Sequence, residues 1–147
     1  MSAALLDVNV LVALFDSAHL HHEAAHRWLA SHRRRPWATC PLTINGCIRV
    51  LSHPSYPTVR ATAADVVARL RILCASPLHE FWPDDVSLLD ETKCRASRLA
   101  GAAQVADVYL LSLAVSRHGR LVTFDRTIPL EAVPGAAGSH MEVLPIR

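Results

Sequence analysis

Apolar residues fall along this chain in short runs, each closed by a polar residue or a turn former, and the runs alternate between two periods. Ala3-Ala4-Leu5-Leu6 is continuously apolar and stops at Asp7, as a strand buried on both faces does. Val8 to Phe15 then reads as a helix. A second helix is expected from about Leu20 to His32, with Leu20, Ala24, Ala25, Trp28 and Leu29 on one face. Pro36 to Cys40 reads as a strand, and Leu42 to Ser52 as a helix ended by Pro54. Thr62-x-x-Asp65 resembles a capping box, opening a helix to about Ala75 that Pro77 stops.

His79 to Trp82 is a third strand in this reading. Asp84 and Asp85 cap a helix running to about Leu99, with Gly101 as its stop. The next helix spans Gln104 to His118 and ends at Gly119. Leu121 to Phe124 forms a strand that stops at Asp125, Pro129 to His140 is loop, and Met141 to Leu144 is a last strand. Apolar strands alternating with helices predict an α/β fold around a parallel sheet covered on both faces. With 147 residues, a single domain over 1–147 is expected.

Composition narrows the class. Hydrophobic residues make up 51% and charged residues 19%, which excludes a disordered chain. A net charge of +2 does not by itself mark a nucleic-acid binder, so the placement of charge matters more. Arg33, Arg34 and Arg35 form one run, and Arg60, Arg69 and Arg71 a looser group; the ordinary reading of both is a solvated helix end or face. Asp7 and Asn9 interrupt the apolar N-terminal stretch, and no run is long enough to cross a bilayer, so a cytoplasmic protein without a membrane role is expected. The four cysteines (Cys40, Cys47, Cys74, Cys94) lack C-x-x-C spacing and read as small core residues.

Ligands in parallel α/β sheets bind beyond the carboxyl ends of the strands. Asp7, Cys40-Pro41, Pro83-Asp84 and Asp125 follow strands directly. Asp107 lies on the helical stripe with Leu110, Leu111, Ala114 and Val115, in the first turn. Each acid has an ordinary use as a cap or a dipole partner. Together at one edge they would repel unless a cation joins them. Magnesium and manganese prefer such oxygen ligands, and the arrangement suits metal-assisted hydrolysis of a phosphodiester.

At these residues the chain also resembles a family. Leu5-Leu6-Asp7-Val8-Asn9-Val10-Leu11, Val105-Ala106-Asp107-Val108-Tyr109-Leu110 and Leu121-Val122-Thr123-Phe124-Asp125-Arg126 are similar to the acidic motifs of PIN domains. With Cys40-Pro41-Leu42-Thr43 and Arg49-Val50-Leu51, the resemblance is to VapC-type toxins of bacterial toxin–antitoxin pairs and covers nearly the whole chain. It implies a three-layer α/β/α fold and a Mg²⁺- or Mn²⁺-dependent endoribonuclease acting on structured RNA, such as transfer RNA or a ribosomal RNA loop. It implies Asp7, Asp107 and Asp125 as metal ligands. It also implies a VapB-type antitoxin as partner, a toxin homodimer, and a heterotetramer or larger assembly with the antitoxin. One departure stands out: the family's second acid, a glutamate, is missing. No Asp or Glu occurs between Glu23 and Asp65; Ile44 or Gly46 takes its place, and Asn45 is the nearby polar residue able to orient a water.

Two other readings compete. A catalytically weak PIN domain would act mainly by binding RNA or antitoxin, with Arg33, Arg34, Arg35 and Arg49 as candidate phosphate contacts. His22-Glu23-x-x-His26 fits the H-E-x-x-H spacing of zinc peptidases. Helical geometry puts His22, Glu23 and His26 opposite the Trp28 face, toward solvent, and no motif supplies a third ligand.

Overall fold

The computed structural model describes residues 2–145. Five short strands form one parallel sheet: β1 (Ala4–Leu6), β2 (Trp37–Thr39), β3 (His79–Phe81), β4 (Arg120–Thr123) and β5 (Met141–Val143), in the order β3-β2-β1-β4-β5. The α-helices are α1 (Val8–Phe15), α2 (His22–Ser31), α3 (Pro41–Leu51), α4 (Ala63–Cys74) and α5 (Val105–Ser116). Side chains alternate across the sheet with the period of a strand. Ala4, Leu6, Trp37 and Val122 face a core shared with α1 to α4, whereas Leu5, Ala38 and Leu121 face one shared with α5. The expected three layers are present. Among the described residues no helix is long and apolar enough to cross a membrane.

The helix expected between Asp84 and Leu99 does not form. That segment runs through turns to a single 3-10 turn at Ala96–Arg98. Its apolar residues lack a helical face: Leu89 is 94% exposed, while Val86, Leu88 and Leu99 pack against the α5-side core. Ser87 Oγ accepts from Leu89 N and Asp90 Oδ1 from Thr92 N, giving the backbone local partners that compete with a helix. Leu20 also departs from expectation. It is 77% exposed and precedes α2, whose buried face is Ala24, Ala25 and Trp28 with Leu29 half-buried beside it.

Gly119 ends α5 for a reason the sequence did not reveal. His118 N donates to Val115 O and Gly119 N to Ala114 O, the paired bonds of a Schellman closure. The left-handed position is His118, at φ 55°. Gly119 is needed because a Cβ there would lie 2.4 Å from the Ala3 carbonyl oxygen and 2.9 Å from the Trp82 ring. That carbonyl also accepts from Arg120 N, so it is fixed by the pairing of β1 with β4. Gly119→Ala is therefore expected to cost about 1–3 kcal/mol as overpacking. His118→Gly, which relieves the left-handed strain, is expected to gain up to about 1 kcal/mol. Urea denaturation of the two variants checks both signs.

Candidate active site

β1 and β4 are central neighbours, and the chain leaves their carboxyl ends in different directions. This is the switch point where an open α/β sheet leaves a crevice. Asp7 directly follows β1, and Asp125 lies two residues beyond β4. Thr123, the last residue of β4, ties the two together. Its hydroxyl donates to Asp7 Oδ2 (2.7 Å) and accepts from Asp125 N (3.0 Å) and from Asn9 Nδ2 (3.4 Å). One donor and two acceptors exhaust what a hydroxyl offers.

The acids also keep their ordinary structural uses. Asp7 Oδ1 accepts from Val8 N (2.7 Å) and caps α1, and Asp125 Oδ1 takes the N–H and hydroxyl of Thr127 (2.8 and 2.6 Å). Asp107 sits half-buried in the first turn of α5. A cleft of about 380 Å³ opens beside Asp7 and Asp107, walled by Asn9, His19, Val50 and Tyr56. Asp125 does not line it, yet its charge bears on both other acids.

Electrostatics shows the strain of the arrangement. Burial raises the Asp7 carboxyl, the Asp125 charge adds to this, and hydrogen bonds from Thr123 and Val8 offset part of it. Burial followed by the charges of Asp7 and Asp125 pushes Asp107 up to about 6. The ion pairs formed among the described residues, Arg117–Asp85 and Arg120–Glu142, involve none of the three. Asn9 Oδ1 is buried without a hydrogen-bond partner and belongs to a residue of the cleft wall. Crowded carboxylates plus an orphaned amide oxygen form a donor set suited to a hard divalent cation. Among the described residues, no three His, Cys, Asp or Glu side chains close tightly enough to cage an ion unaided. Waters and Asn9 would complete such a site.

α3 carries no acid toward this cleft. Ile44 lines a separate, apolar hollow of about 270 Å³ with Ile48, Leu70, Cys74 and His79. Gly46 faces α1 so closely that a Cβ would lie 2.6 Å from Val8 Cγ2. Asn45 is exposed and outside the cleft wall. Arg49 is exposed beside a second hollow that shares Val50 and Tyr56 with the acid cleft. Arg33, Arg34 and Arg35 lie in the exposed turn before β2. Because β1 and β2 are parallel, that turn sits at the opposite sheet edge from the acids.

The histidines of α2 have a different task from the one their spacing suggests. His22 Nδ1 bonds the Ala13 carbonyl (2.7 Å) and His26 Nε2 the Leu14 carbonyl (2.8 Å). Both carbonyls belong to the last turn of α1, whose acceptors lack partners within the helix. The pair is thus turned toward α1 rather than wholly toward solvent, and no third ligand joins it among the described residues. All four cysteines are free; Cys40, Cys47 and Cys94 are buried.

Asn9, Thr123, His19 and Tyr56 escaped the sequence reading. Asn9 and Thr123 had a signal, since each lies two residues from an acid in a signature segment. His19 and Tyr56 reach the cleft from irregular segments. Tyr56 is fixed there by Asp16, whose buried carboxylate accepts from the Tyr56 hydroxyl (2.6 Å) and the Thr58 hydroxyl (2.5 Å).

Residues 4–134 match the PIN domain family. The chain belongs to that family. Among its relatives, Ribonuclease VapC44 of Mycobacterium tuberculosis is 48% identical over 143 residues, 96% of this chain and 99% of that protein. Ribonuclease VapC39 of the same species is 40% identical over 132 residues, 90% and 95% of the two chains. Within the PIN family, the chain is therefore a VapC-type ribonuclease, the toxin class of toxin–antitoxin pairs. The fold likewise matches the crystal structure of VapC20 of Mycobacterium tuberculosis, a toxin that cleaves the sarcin–ricin loop. The TM-score is 0.66 at 14% identity, covering 97% of this chain and 100% of that one. VapBC2 from Rickettsia felis, bound to a promoter DNA fragment, gives 0.62 at 14% identity over 97% and 99%.

The raised Asp107 carboxyl sets a pH dependence. Its folded value of about 6 lies above its ordinary 3.8, so the fold favours the proton. The resulting stabilisation is full below about pH 4 and is lost as pH rises through about 6. Asp107→Asn is expected to raise the metal-free melting temperature at neutral pH by about 2–4 °C, with the gain vanishing near about pH 4. Differential scanning calorimetry in EDTA at both pH values checks this.

Proposed function

We propose that this chain is a Mg²⁺- or Mn²⁺-dependent endoribonuclease that cuts structured RNA, such as transfer RNA or a ribosomal RNA loop, in the cytoplasm. The observation that carries the metal dependence is the mutual repulsion of Asp7, Asp107 and Asp125 beside an orphaned Asn9 oxygen at the switch point. Asp7, Asp107 and Asp125 would hold the ion, with Asn9 Oδ1 as a further oxygen. The chemistry a divalent cation would supply there is polarisation of the phosphate and an offset to the charge that develops on hydrolysis.

The chain's own residues do the rest. Thr123 fixes the Asp7 carboxylate and holds Asn9 so that neither turns away from the cleft. Asp107, raised to about 6 by burial and its neighbours' charge, would shift toward its ionised form beside a bound cation. Arg49 lines a neighbouring hollow that shares Val50 and Tyr56 with the acid cleft, and there it would supply phosphate contacts to a bound RNA strand. Arg33 to Arg35, at the far edge, fit an assembly surface better than the cleft. A VapB-type antitoxin is the proposed partner, with a toxin homodimer inside a heterotetramer or larger complex. The structural neighbour from Rickettsia felis, solved as VapBC2, supports the antitoxin partner.

A second reading has one observation behind it. The missing α3 acid leaves the ion a smaller set of carboxylates, so the domain would bind RNA or antitoxin with weak cutting. Purified chain with bacterial RNA and Mn²⁺ separates the two. The ribonuclease reading expects new RNA ends that EDTA prevents and Asp7→Ala lowers by at least about a hundredfold. Cutting that survives Asp7→Ala would sink it; RNA retention without cutting would favour the binding reading.

A further inference from the structure

His19 stands on the cleft wall, outside every acidic motif. Its Nδ1 accepts the His21 backbone N–H at 3.0 Å, and its own backbone N donates to Asp16 O at 3.0 Å. A nitrogen that accepts an amide N–H carries no proton, so the neutral ring bears its hydrogen on Nε2. Among the described residues Nε2 has no hydrogen-bond partner, and it is not buried from solvent. We propose that His19 is an RNA-positioning residue whose neutral Nε2–H donates a hydrogen bond to a sugar–phosphate oxygen of the strand lying in the acid cleft.

The surroundings favour the neutral ring. Burial lowers the His19 value, and His21, just before α2, and His22, its first residue, lower it further. Asp16 at the end of α1 pulls the other way. Asp7 and Asp107 line the same cleft, and the Tyr56 hydroxyl, also of its lining, is committed to Asp16. A second proton on the ring would have to enter at Nδ1, against the His21 N–H. The chemistry this leaves is donation without a change of charge. His19 is thus neither a general base nor a general acid, and it adds a directed contact without competing with a cation for the carboxylates.

The proposal rests on RNA being the substrate, and three substitutions isolate it. His19→Ala removes both nitrogens. His19→Asn keeps an acceptor for the His21 N–H, as in an Asx turn, but has no distal donor. His19→Gln places an amide N–H at the reach of Nε2. Two readouts are taken: Mn²⁺-dependent cleavage of total bacterial RNA across about pH 5.5 to 8.5, and anisotropy of fluorescein-labelled bacterial transfer RNA in EDTA. His19→Ala and His19→Asn are expected to raise the RNA concentration for half-maximal cleavage, and the Kd for labelled transfer RNA, by about tenfold. Maximal rate and pH profile stay near wild type, and His19→Gln recovers most of the loss. Rescue by Asn rather than Gln would show a purely structural role and overturn the proposal. A loss mainly in maximal rate, with one limb of the pH profile gone, would show proton transfer and also overturn it. If wild-type chain cuts no RNA, the ribonuclease reading fails while the binding series still decides His19.

Discussion

Like charges gathered at the end of two buried strands are the constraint on which the rest of this molecule depends. Asp7 and Asp125 leave neighbouring strands and Asp107 enters from α5; Asp125 raises the cost of ionising Asp7, and both raise that of Asp107. Left alone, such groups would turn away or hold protons. Thr123 prevents the first at Asp7 by giving its hydroxyl proton to that carboxylate, while its two acceptor positions hold the Asn9 amide and the Asp125 backbone N–H. The raised value of Asp107 records the second.

Much of the fold serves to hold that arrangement still. Gly119 lets α5 close onto β4 beside the Ala3 carbonyl, which sets where α5 stands. Gly46 lets α3 lie against Val8, the residue after Asp7. His22 and His26 finish α1 by taking its last carbonyls, so α2 is anchored to the helix that Asp7 begins. Asp16 then fixes the loop carrying Tyr56 to the same helix end. The contacts at Gly119, Gly46 and Asp16 each bear on an element that carries a cleft-wall residue: Asp107 on α5, Val50 on α3 and Tyr56 on its loop.

The strands and acids were legible because their signals are local. Leu5-Leu6-Asp7 and Val122-Thr123-Phe124-Asp125 each show a buried strand and a polar stop within a few residues. Asp107 was legible from helical periodicity, although it proved half-buried rather than deep in the core. Residues 84–99 were misread because Asp84 and Asp85 look like caps, while the side-chain turns of Ser87 and Asp90 are favoured once the apolar residues find separate seats. His22 and His26 lie away from the buried Trp28 face as the helical period implies, with His26 exposed; their bonds to α1 were not legible because spacing on one helix carries no information about the open end of another. His19 and Tyr56 were invisible for the related reason that loops, not periods, bring them to the cleft.

The central claim is that Asp7, Asp107 and Asp125 form one cation site whose proton occupancy is linked to the metal. Titration calorimetry with MnCl₂ tests it, run near about pH 6 and again near about pH 8 in two buffers of different ionisation enthalpy. The account predicts saturable Mn²⁺ binding that releases part of a proton near pH 6 and almost none near pH 8. Asp107→Asn should lose the release, and Asp7→Asn should lose most of the binding. Mn²⁺ binding of unchanged affinity in both variants, or with no proton release near pH 6, would contradict it.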